Sequence, residues 1–270
     1  MERTKYKQFI NYLIIIFMLT GGHVVSAMKS QTTNDATQSQ TMQNSSGTTF
    51  RQQIYQAYIS GKMSSWKTVI DAMEKQKNYQ PDFLTDLINY QYGYVAWCLG
   101  NNKKAEATEI LSLLDENLRN LKKAAGETAD YHAYSAAAYG FKIGLNLWRA
   151  PFLGPRSMGH AEKALRADNL NIQANIELGN IWNYMPAIFG GSPQKALNYF
   201  LKALEGMEKE SAEVRKNNWM YLNLLTMVGQ KYKELGDKDQ ARIYFEKAIQ
   251  AEPDFIWVKK GLLPSLEKIN

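Results

Sequence analysis

The feature that most constrains the fold of this chain is the spacing of small and aromatic residues across residues 222–255. Seven marker positions follow one another at intervals of 3, 4, 5, 4, 3 and 5 residues: Gly229, Tyr232, Gly236, Ala241, Phe245, Ala248 and Pro253. Intervals of three and four residues place side chains on one face of an α-helix. Gly236 interrupts that pattern, and a helix ends before Pro253 because proline has no amide proton to donate. The stretch therefore predicts two short amphipathic helices joined at Gly236.

The small residues Gly229 and Ala241 allow the two helix backbones to approach closely, and Tyr232 and Phe245 fill the space beside that crossing. This spacing resembles the tetratricopeptide (TPR) repeat, a helix-turn-helix unit of about 34 residues. Seven of the eight usual marker positions agree, and Leu225 stands where the repeat normally has Trp. The resemblance implies an all-α fold in which helix pairs stack into a superhelix. It names no partner.

The same spacing, applied to residues 50–270, predicts a superhelix of about five helix pairs. The first pair covers residues 50–60 and 64–76 and turns at Gly61. In the second pair, Gly93 and Gly100 are seven residues apart, as Gly229 and Gly236 are, and Ala105 follows at the spacing of Ala241. In the fifth pair the first helix is predicted to extend back to Ala212, and residues 254–266 are predicted to form a capping helix.

The third and fourth pairs, which cross at Gly140 and Gly179, each carry a turn enlarged by five residues. The enlarged turns are residues 145–155 and 184–191, and they contain Trp148, Arg149, Pro151, Phe152, Tyr184, Met185, Pro186, Ile188 and Phe189. Insertions in neighbouring repeats emerge on one face, often the binding face, and a large exposed apolar patch marks a contact. The turns are therefore candidates to line a pocket or lip for an apolar or aromatic ligand segment. The alternative is that they fold back and fill gaps between lengthened helices.

A second candidate surface is the concave face of the superhelix, formed by the first helix of each pair. Projection from the crossing glycines places aromatic and amide side chains there: Tyr90, Tyr94, Trp97, Gln173, Asn180, Asn183, Asn223, Gln230 and Lys233. Such side chains suit an extended peptide, because they supply stacking area and hydrogen bonds to its backbone. The alternative is an ordinary solvated helix face.

The N-terminus has the pattern of a bacterial secretory signal over residues 1–27. Basic residues precede an apolar run over residues 12–19, and small residues at 25–27 offer a cleavage site. A membrane anchor is the alternative, but the apolar run is less than half of the roughly 20 residues that a span needs. Residues 28–49 are rich in Ser, Thr, Gln and Asn and predict a flexible linker. We therefore expect a periplasmic or secreted protein with no transmembrane span after cleavage.

The remaining composition excludes several functions. The net charge is +6, of which +2 lies in the signal segment, and the remainder is too dispersed to indicate nucleic-acid binding. Cys98 is the single cysteine, so no disulfide framework or CxxC site exists. His132 and His160 lack a partner three or four residues away that would make a zinc pair. No catalytic motif is present, so we expect no enzyme, no metal and no cofactor.

Residues 134–206 carry a second resemblance. The segments Leu178-Gly179-Asn180, residues 186–192 and residues 199–204, with His160 to Leu165 in the preceding helix, are similar to two TPR-related groups. These groups are the periplasmic T-component of TRAP-type transporters and the regulator-of-microtubule-dynamics proteins. The first group implies an exported helical protein with a hydrophobic cleft that partners a solute-binding protein. It also implies a lipid-attachment cysteine, which this chain lacks near the predicted cleavage site.

Three hypotheses for function follow. The first is an exported scaffold that binds a protein or peptide, possibly in the cell envelope, through its concave groove and enlarged turns. The second is a small-ligand-binding or partner component of an envelope transport system, which a deep apolar cavity would favour. The third, a hydrolase, would require two carboxylates about 5–10 Å apart in a cleft. The first is the interpretation that the sequence favours.

Overall fold

The computed structural model describes residues 46–267, with side chains from Phe50 onward. Eleven α-helices lie in this part of the chain: α1 Ser46–Ser60, α2 Met63–Lys75, α3 Pro81–Gly100, α4 Lys104–Ala125, α5 Ala129–Leu145, α6 Ala150–Ala167, α7 Ile172–Tyr184, α8 Pro193–Lys209, α9 Ala212–Arg215, α10 Trp219–Glu234 and α11 Lys238–Ala251. Short 3-10 helices occupy Leu147–Arg149, Ala187–Phe189 and Pro264–Leu266, and Val258–Leu262 is a π-helix. The predicted signal segment and nearly all of the predicted linker lie outside the described residues.

The helices form the predicted all-α stack of pairs. The pairs are α1 with α2, α3 with α4, α5 with α6, α7 with α8, and α10 with α11. Between pairs, α2 packs against α3, α5 against both α3 and α7, and α10 against α8. No strand occurs between residues 46 and 267. The first helix starts four residues before the predicted domain boundary at residue 50. The prediction of a TPR-like superhelix of about five helix pairs is confirmed.

The close crossing of the last pair depends on Gly229, as predicted. A Cβ atom at this position would lie 2.5 Å from Cε1 of Phe245 and 3.2 Å from the carbonyl oxygen of Ala241. Gly179 makes the same kind of crossing, since its Cβ would lie 2.3 Å from Cε1 of Phe200. Phe200 follows its glycine by 21 residues and Phe245 by 16. The difference of five confirms the enlarged turn of the fourth pair.

In the second pair the predicted register is wrong by two residues. The α10–α11 turn has a bond from Asp237 N to Tyr232 O at 2.9 Å, and the α3–α4 turn repeats it from Lys103 N to Cys98 O at 2.9 Å. The position equivalent to Gly236 is therefore Asn102, and both have positive φ angles, of 87° and 58°. Asparagine tolerates this left-handed conformation better than most residues. The crossing then lies at Val95 and Ala107, both buried, instead of Gly93 and Ala105.

The predicted crossing residue of the third pair is wrong by one helical turn. The Oγ of Ser157 on α6 donates to the carbonyl oxygen of Ala136 on α5 at 2.9 Å, and Ala136 is fully buried. Gly140 is exposed, and a Cβ atom on it would meet no atom within 4 Å. The small residue at this crossing is Ala136.

We expect Gly229→Ala to destabilise the protein by about 1–3 kcal/mol, because the added methyl group overpacks the crossing. Gly140→Ala is the matched control. It adds the same methyl group to a helix with free space, so it should stabilise by about 0.5–1 kcal/mol through helix propensity. Urea unfolding of both variants measures the two changes. Equal stabilisation by both substitutions would show that the crossing at Gly229 is not close-packed.

Three other predicted elements differ from the structure. The first enlarged turn is shorter than predicted, because α6 begins at Ala150 and contains Pro155. The first helix of the last pair does not extend to Ala212, because Asn217 has φ of 51° and Asn218 caps α10 through its side chain. The capping segment is also no regular α-helix, since residues 258–262 form a π-helix followed by a 3-10 turn.

The two ends of the stack meet, which the sequence did not predict. Trp219 on α10 packs edge-on against Trp66 of α2 and Tyr58 of α1, with ring centroids 5.0 and 5.7 Å apart. Its Nε1 donates to Oδ1 of Asn89 on α3 at 2.8 Å. Arg51 on α1 donates to the backbone carbonyls of Glu213, Val214, Lys216 and Asn217, with Lys216 O at 2.7 Å. Side chains of the first and last pairs therefore occupy the concave side of the stack.

Candidate functional site

The turns that join the two helices of each pair lie along one edge of the stack, because successive pairs pack side by side in the same orientation. We call this edge the turn edge. It consists of the turns near Gly61, Asn102, Trp148, Ile188 and Gly236. Most aromatic residues of the predicted site belong to this edge or to the helix ends beside it.

The enlarged turns present the four most exposed large apolar side chains of residues 50–267. Trp148 is 90% exposed, Ile188 86%, Phe152 75% and Phe189 73%. We call residues 147–152, in the first enlarged turn, tip 1, and residues 186–191, in the second, tip 2. The alternative that these four side chains fill packing gaps is wrong. Arg149 and Pro186 are also exposed, whereas Tyr184 is half-buried at the end of α7.

The backbone of both tips is held by local hydrogen bonds. In tip 1, Oδ1 of Asn146 accepts from Trp148 N at 3.1 Å. In tip 2, Pro186 O accepts from Phe189 N at 2.8 Å and from Gly191 N at 3.2 Å. A side chain at residue 191 is impossible without rearrangement, because its Cβ would lie 1.7 Å from Met185 O. The tips are therefore ordered projections of the stack.

A concave site lies on the same edge between the first two pairs. This pocket, of about 330 Å³, is lined by residues of the α1–α2 turn and of α2, α3 and α4 that include Tyr94, Trp97, Lys67, Lys103 and Glu106. Lys103 Nζ lies 5.0 Å from the centroid of the Trp97 ring, and the Tyr94 hydroxyl donates to the Glu106 carboxylate. Hydrogen bonds from the Tyr94 hydroxyl and then from the Lys103 ammonium lower the pKa of Glu106. We call this site the Trp97 pocket.

The structure does not bring the predicted concave residues together in an open groove. Tyr90 and Tyr94 are buried in the core. The predicted register of α3 was wrong by two residues, which corresponds to a rotation of about 200° around the helix axis, so these side chains face the core and not the groove. Trp97 is half-buried and lines the Trp97 pocket. The polar members are half-buried or buried and already hydrogen-bonded within the protein: Gln173 to Glu177, Asn180 to Tyr92, Asn183 to Lys231, Asn223 to Tyr58, Gln230 to Thr226 and Lys233 to Ser265.

The concave side contains a buried carboxyl group that sequence reasoning missed. Glu177 on α7 is 4% exposed, and Gln173 Nε2 donates to its Oε1 at 2.7 Å. Asn180 Nδ2 lies 3.4 Å from the same oxygen, and Tyr92 also hydrogen-bonds this carboxyl group. Burial raises the pKa of Glu177 to about 7, although these hydrogen bonds lower it in part. The only sequence feature that could have indicated a buried carboxyl group is the position of Glu177, two residues before the crossing residue Gly179.

The structure also pairs the two histidines that the sequence treated separately. Nδ1 of His132 on α5 lies 3.0 Å from Nδ1 of His160 on α6, and Glu127 Oε2 lies 3.4 Å from Nε2 of His132. Burial lowers the pKa of both imidazoles. Among residues 46–267 no group of three or more His, Cys, Asp or Glu side chains could hold a metal ion. The pair is a contact between α5 and α6.

Comparison with known proteins finds one repeat-family match and two similar solved structures. Residues 222–255 match the family model described as tetratricopeptide repeat. The HusA haemophore from Porphyromonas gingivalis is similar in structure, with a TM-score of 0.56 and 16% identity over 71% of this chain and 96% of that one. The MamA protein aligns with a TM-score of 0.37 and 16% identity over 78% of this chain and 96% of its own. A search of curated protein sequences found no match.

The protein is a TPR-like helical repeat protein. Such folds generally serve as protein-interaction scaffolds and not as catalysts. Within residues 46–267, none of the helices has the length and apolar character needed to cross a membrane. Export, periplasmic or secreted localisation, and the similarity to the TRAP T-component remain predictions.

Proposed function

We propose that this protein is a scaffold that binds a polypeptide segment on its turn edge, with one anchor side chain of that segment held in the Trp97 pocket. The observation that carries this proposal is the pocket itself, a concavity with the Trp97 ring in its wall and charged groups of both signs around it. Its volume of about 330 Å³ can hold a side chain. Aromatic walls with a polar rim are typical of interaction hot spots.

The closed concave side supports the choice of the turn edge. A peptide bound in the concave groove would have to displace the contacts between Trp219 and the first two helix pairs. The Trp97 pocket is already open to solvent and needs no such displacement. We further propose that residues 1–27 direct the scaffold out of the bacterial cytoplasm and that residues 28–49 link the signal to the helical stack.

We expect Trp97→Ala to weaken capture of the polypeptide by about 2 kcal/mol or more, because a central Trp is the usual hot-spot residue. The measurement is affinity capture from envelope extract with the full chain as bait, followed by mass spectrometry and titration of the captured polypeptide. Lys103→Glu reverses a charge at the rim without removing core contacts, and it should also weaken capture. Circular dichroism verifies that each bait is folded.

The matched control is Tyr79→Ala. Tyr79 is 55% exposed but lies in the connection between α2 and α3, which is at the opposite edge of the stack. This variant should capture the polypeptide as the wild type does. Equal capture by folded Trp97→Ala and Lys103→Glu would overturn the assignment of the pocket. If no polypeptide is captured, but an apolar small molecule quenches tryptophan fluorescence stoichiometrically in the wild type and not in Trp97→Phe, the pocket belongs to the small-ligand hypothesis.

A further inference from the structure

The two tips are convex projections, whereas the Trp97 pocket is concave. Trp148 and Phe152 project from tip 1, Ile188 and Phe189 project from tip 2, and all four are largely exposed. Residues of α5 pack against α7, so the two tips follow each other along the turn edge. Both are convex. A polypeptide partner would need matching cavities for four large side chains, whereas a deformable apolar medium accepts such projections without a preformed cavity.

The two chain segments that carry the tips contain cations and no carboxylate. Residues 143–161 and 178–204 contain no Asp or Glu. Arg149 in tip 1, Arg156 on α6 and Lys195 on α8 are all exposed. Among the described residues, no carboxylate forms an ion pair with these three cations; Lys195 instead lies 4.2 Å from the centroid of the Trp182 ring. The tips therefore combine apolar projections with exposed cations that form no ion pair within residues 46–267.

This combination is complementary to the headgroup region of an anionic membrane. Trp and Phe are favoured at the boundary between acyl chains and headgroups, and Arg and Lys beside them contact phosphate groups. Anionic lipids attract such basic residues at short range. The tip backbone also meets a requirement of this environment, since several of its polar groups are bonded internally, as between Pro186 O and Phe189 N at 2.8 Å.

We propose that tips 1 and 2 dock the protein on the surface of an anionic lipid bilayer, with Trp148, Phe152, Ile188 and Phe189 inserted at the level of the headgroups. Arg149, Arg156 and Lys195 then face the lipid phosphates. The bound protein lies on the membrane and does not span it. This inference goes beyond the proposed scaffold function and is independent of it, because it uses neither the Trp97 pocket nor a polypeptide.

Co-sedimentation of the full chain with vesicles tests the proposal. The vesicles are made of phosphatidylcholine alone or of phosphatidylcholine mixed with phosphatidylglycerol. The wild type should partition onto the mixed vesicles more strongly than onto the neutral ones, and added salt should weaken that partition. In Trp148→Ser/Phe189→Ser the partition should fall by about tenfold or more, because two apolar anchors are lost. Arg149→Glu/Lys195→Glu should remove the preference for anionic lipid.

The control variant is Tyr79→Ser/Ile243→Ser, which removes two exposed apolar side chains outside the tips. It should partition like the wild type. All variants keep the same residues 1–45, so binding by that segment is common to them and cancels in the comparison. Brominated lipid should quench tryptophan fluorescence less in Trp148→Phe than in the wild type, which reports directly on insertion of tip 1.

Two outcomes would overturn the inference. One is partition of the tip variant that equals that of the wild type, since the tips would then contribute nothing. The other is an absence of wild-type binding to anionic vesicles. If, in addition, the tip variant lost capture of a polypeptide, the tips would be a protein-binding surface. The Trp97→Ala experiment measures capture of a polypeptide and not binding to lipid. Failure of membrane docking therefore does not affect the test of the proposed scaffold function.

Discussion

Trp219→Ala should lower the free energy of unfolding by about 3–5 kcal/mol, the usual cost of removing a buried Trp or Phe side chain from a packed core. Trp219 is buried and touches three other helices: Tyr58 on α1, Trp66 on α2 and Asn89 on α3. Its truncation leaves a cavity between the two ends of the stack. It also leaves Oδ1 of Asn89 without its donor, which adds a polar cost.

The measurement is urea unfolding followed by circular dichroism, together with hydrogen exchange of the amides in α1. If Trp219 holds the ends together, exchange in α1, which carries its partner Tyr58, should accelerate more than exchange in α7. Trp148→Ala is the matched control, because it makes the same chemical change at a side chain that is 90% exposed. Its stability should stay within about 0.5 kcal/mol of the wild type. A similar small change for Trp219→Ala would show that the ends are not coupled.

The helix pairs could be predicted because their signals are local. Gly61 and Gly236 have φ angles of 71° and 87°, which glycine adopts without strain, and each ends a run of helical periodicity. The marker spacing also places Phe245 beside the crossing with Gly229, where the structure has it fully buried. Such local agreement is why the fold class and most helix boundaries follow from the sequence.

The register of the second pair could not be read in this way. The repeat spacing predicts Gly100 as the turn residue, but the residue with the left-handed conformation is Asn102. An asparagine at such a position is not distinguishable from a polar surface residue by pattern alone. The error of two residues then transferred Tyr90 and Tyr94 from the core to the predicted groove. A small error in register thus produced a wrong set of surface residues.

The closure of the stack depends on distances that no local pattern contains. Trp219 and Asn89 are 130 residues apart, and their contact follows from the summed rotation of all the intervening pairs. The pairing of His132 and His160 depends on the register of α5 against α6, which the sequence placed one helical turn away at Gly140. The apolar character of the enlarged turns was visible in the sequence. Their exposure was not, because the same residues could equally have packed between the helices.

The second large effect is expected from Glu177, whose carboxyl group lies in the closed concave side. Burial raises its pKa from 4.5 to about 7, so the folded state holds the proton more tightly than the unfolded state. Stability from this group is therefore fully present below about pH 4.5 and is lost as the pH rises through about 7. With a shift of this size, the loss is on the order of 3 kcal/mol.

Glu177→Gln should remove this pH dependence. The amide can still accept from Gln173 Nε2, now at 2.7 Å from the carboxyl oxygen, and it carries no charge to desolvate. The variant should therefore match the wild type near pH 4.5 and exceed its stability above pH 7. Urea unfolding across this range measures the difference. Glu205→Gln is the control, because Glu205 is exposed and its hydrogen bond with Lys209 lowers its pKa, so no gain at high pH should appear.

Infrared difference spectra supply a direct readout of the same titration. The carbonyl band of a protonated carboxyl group should disappear between about pH 6 and 8 in the wild type, in line with a raised carboxyl pKa, and should be absent from Glu177→Gln. If Glu177 were ionised, its charge would be stabilised only by hydrogen bonds from Gln173, Asn180 and Tyr92, because no cation among the described residues pairs with it. A wild-type stability that rises with pH from 4.5 to 8 in parallel with Glu177→Gln would mean that the group is ionised throughout. The concave side would then be open to water, and a polypeptide groove there would again be a candidate.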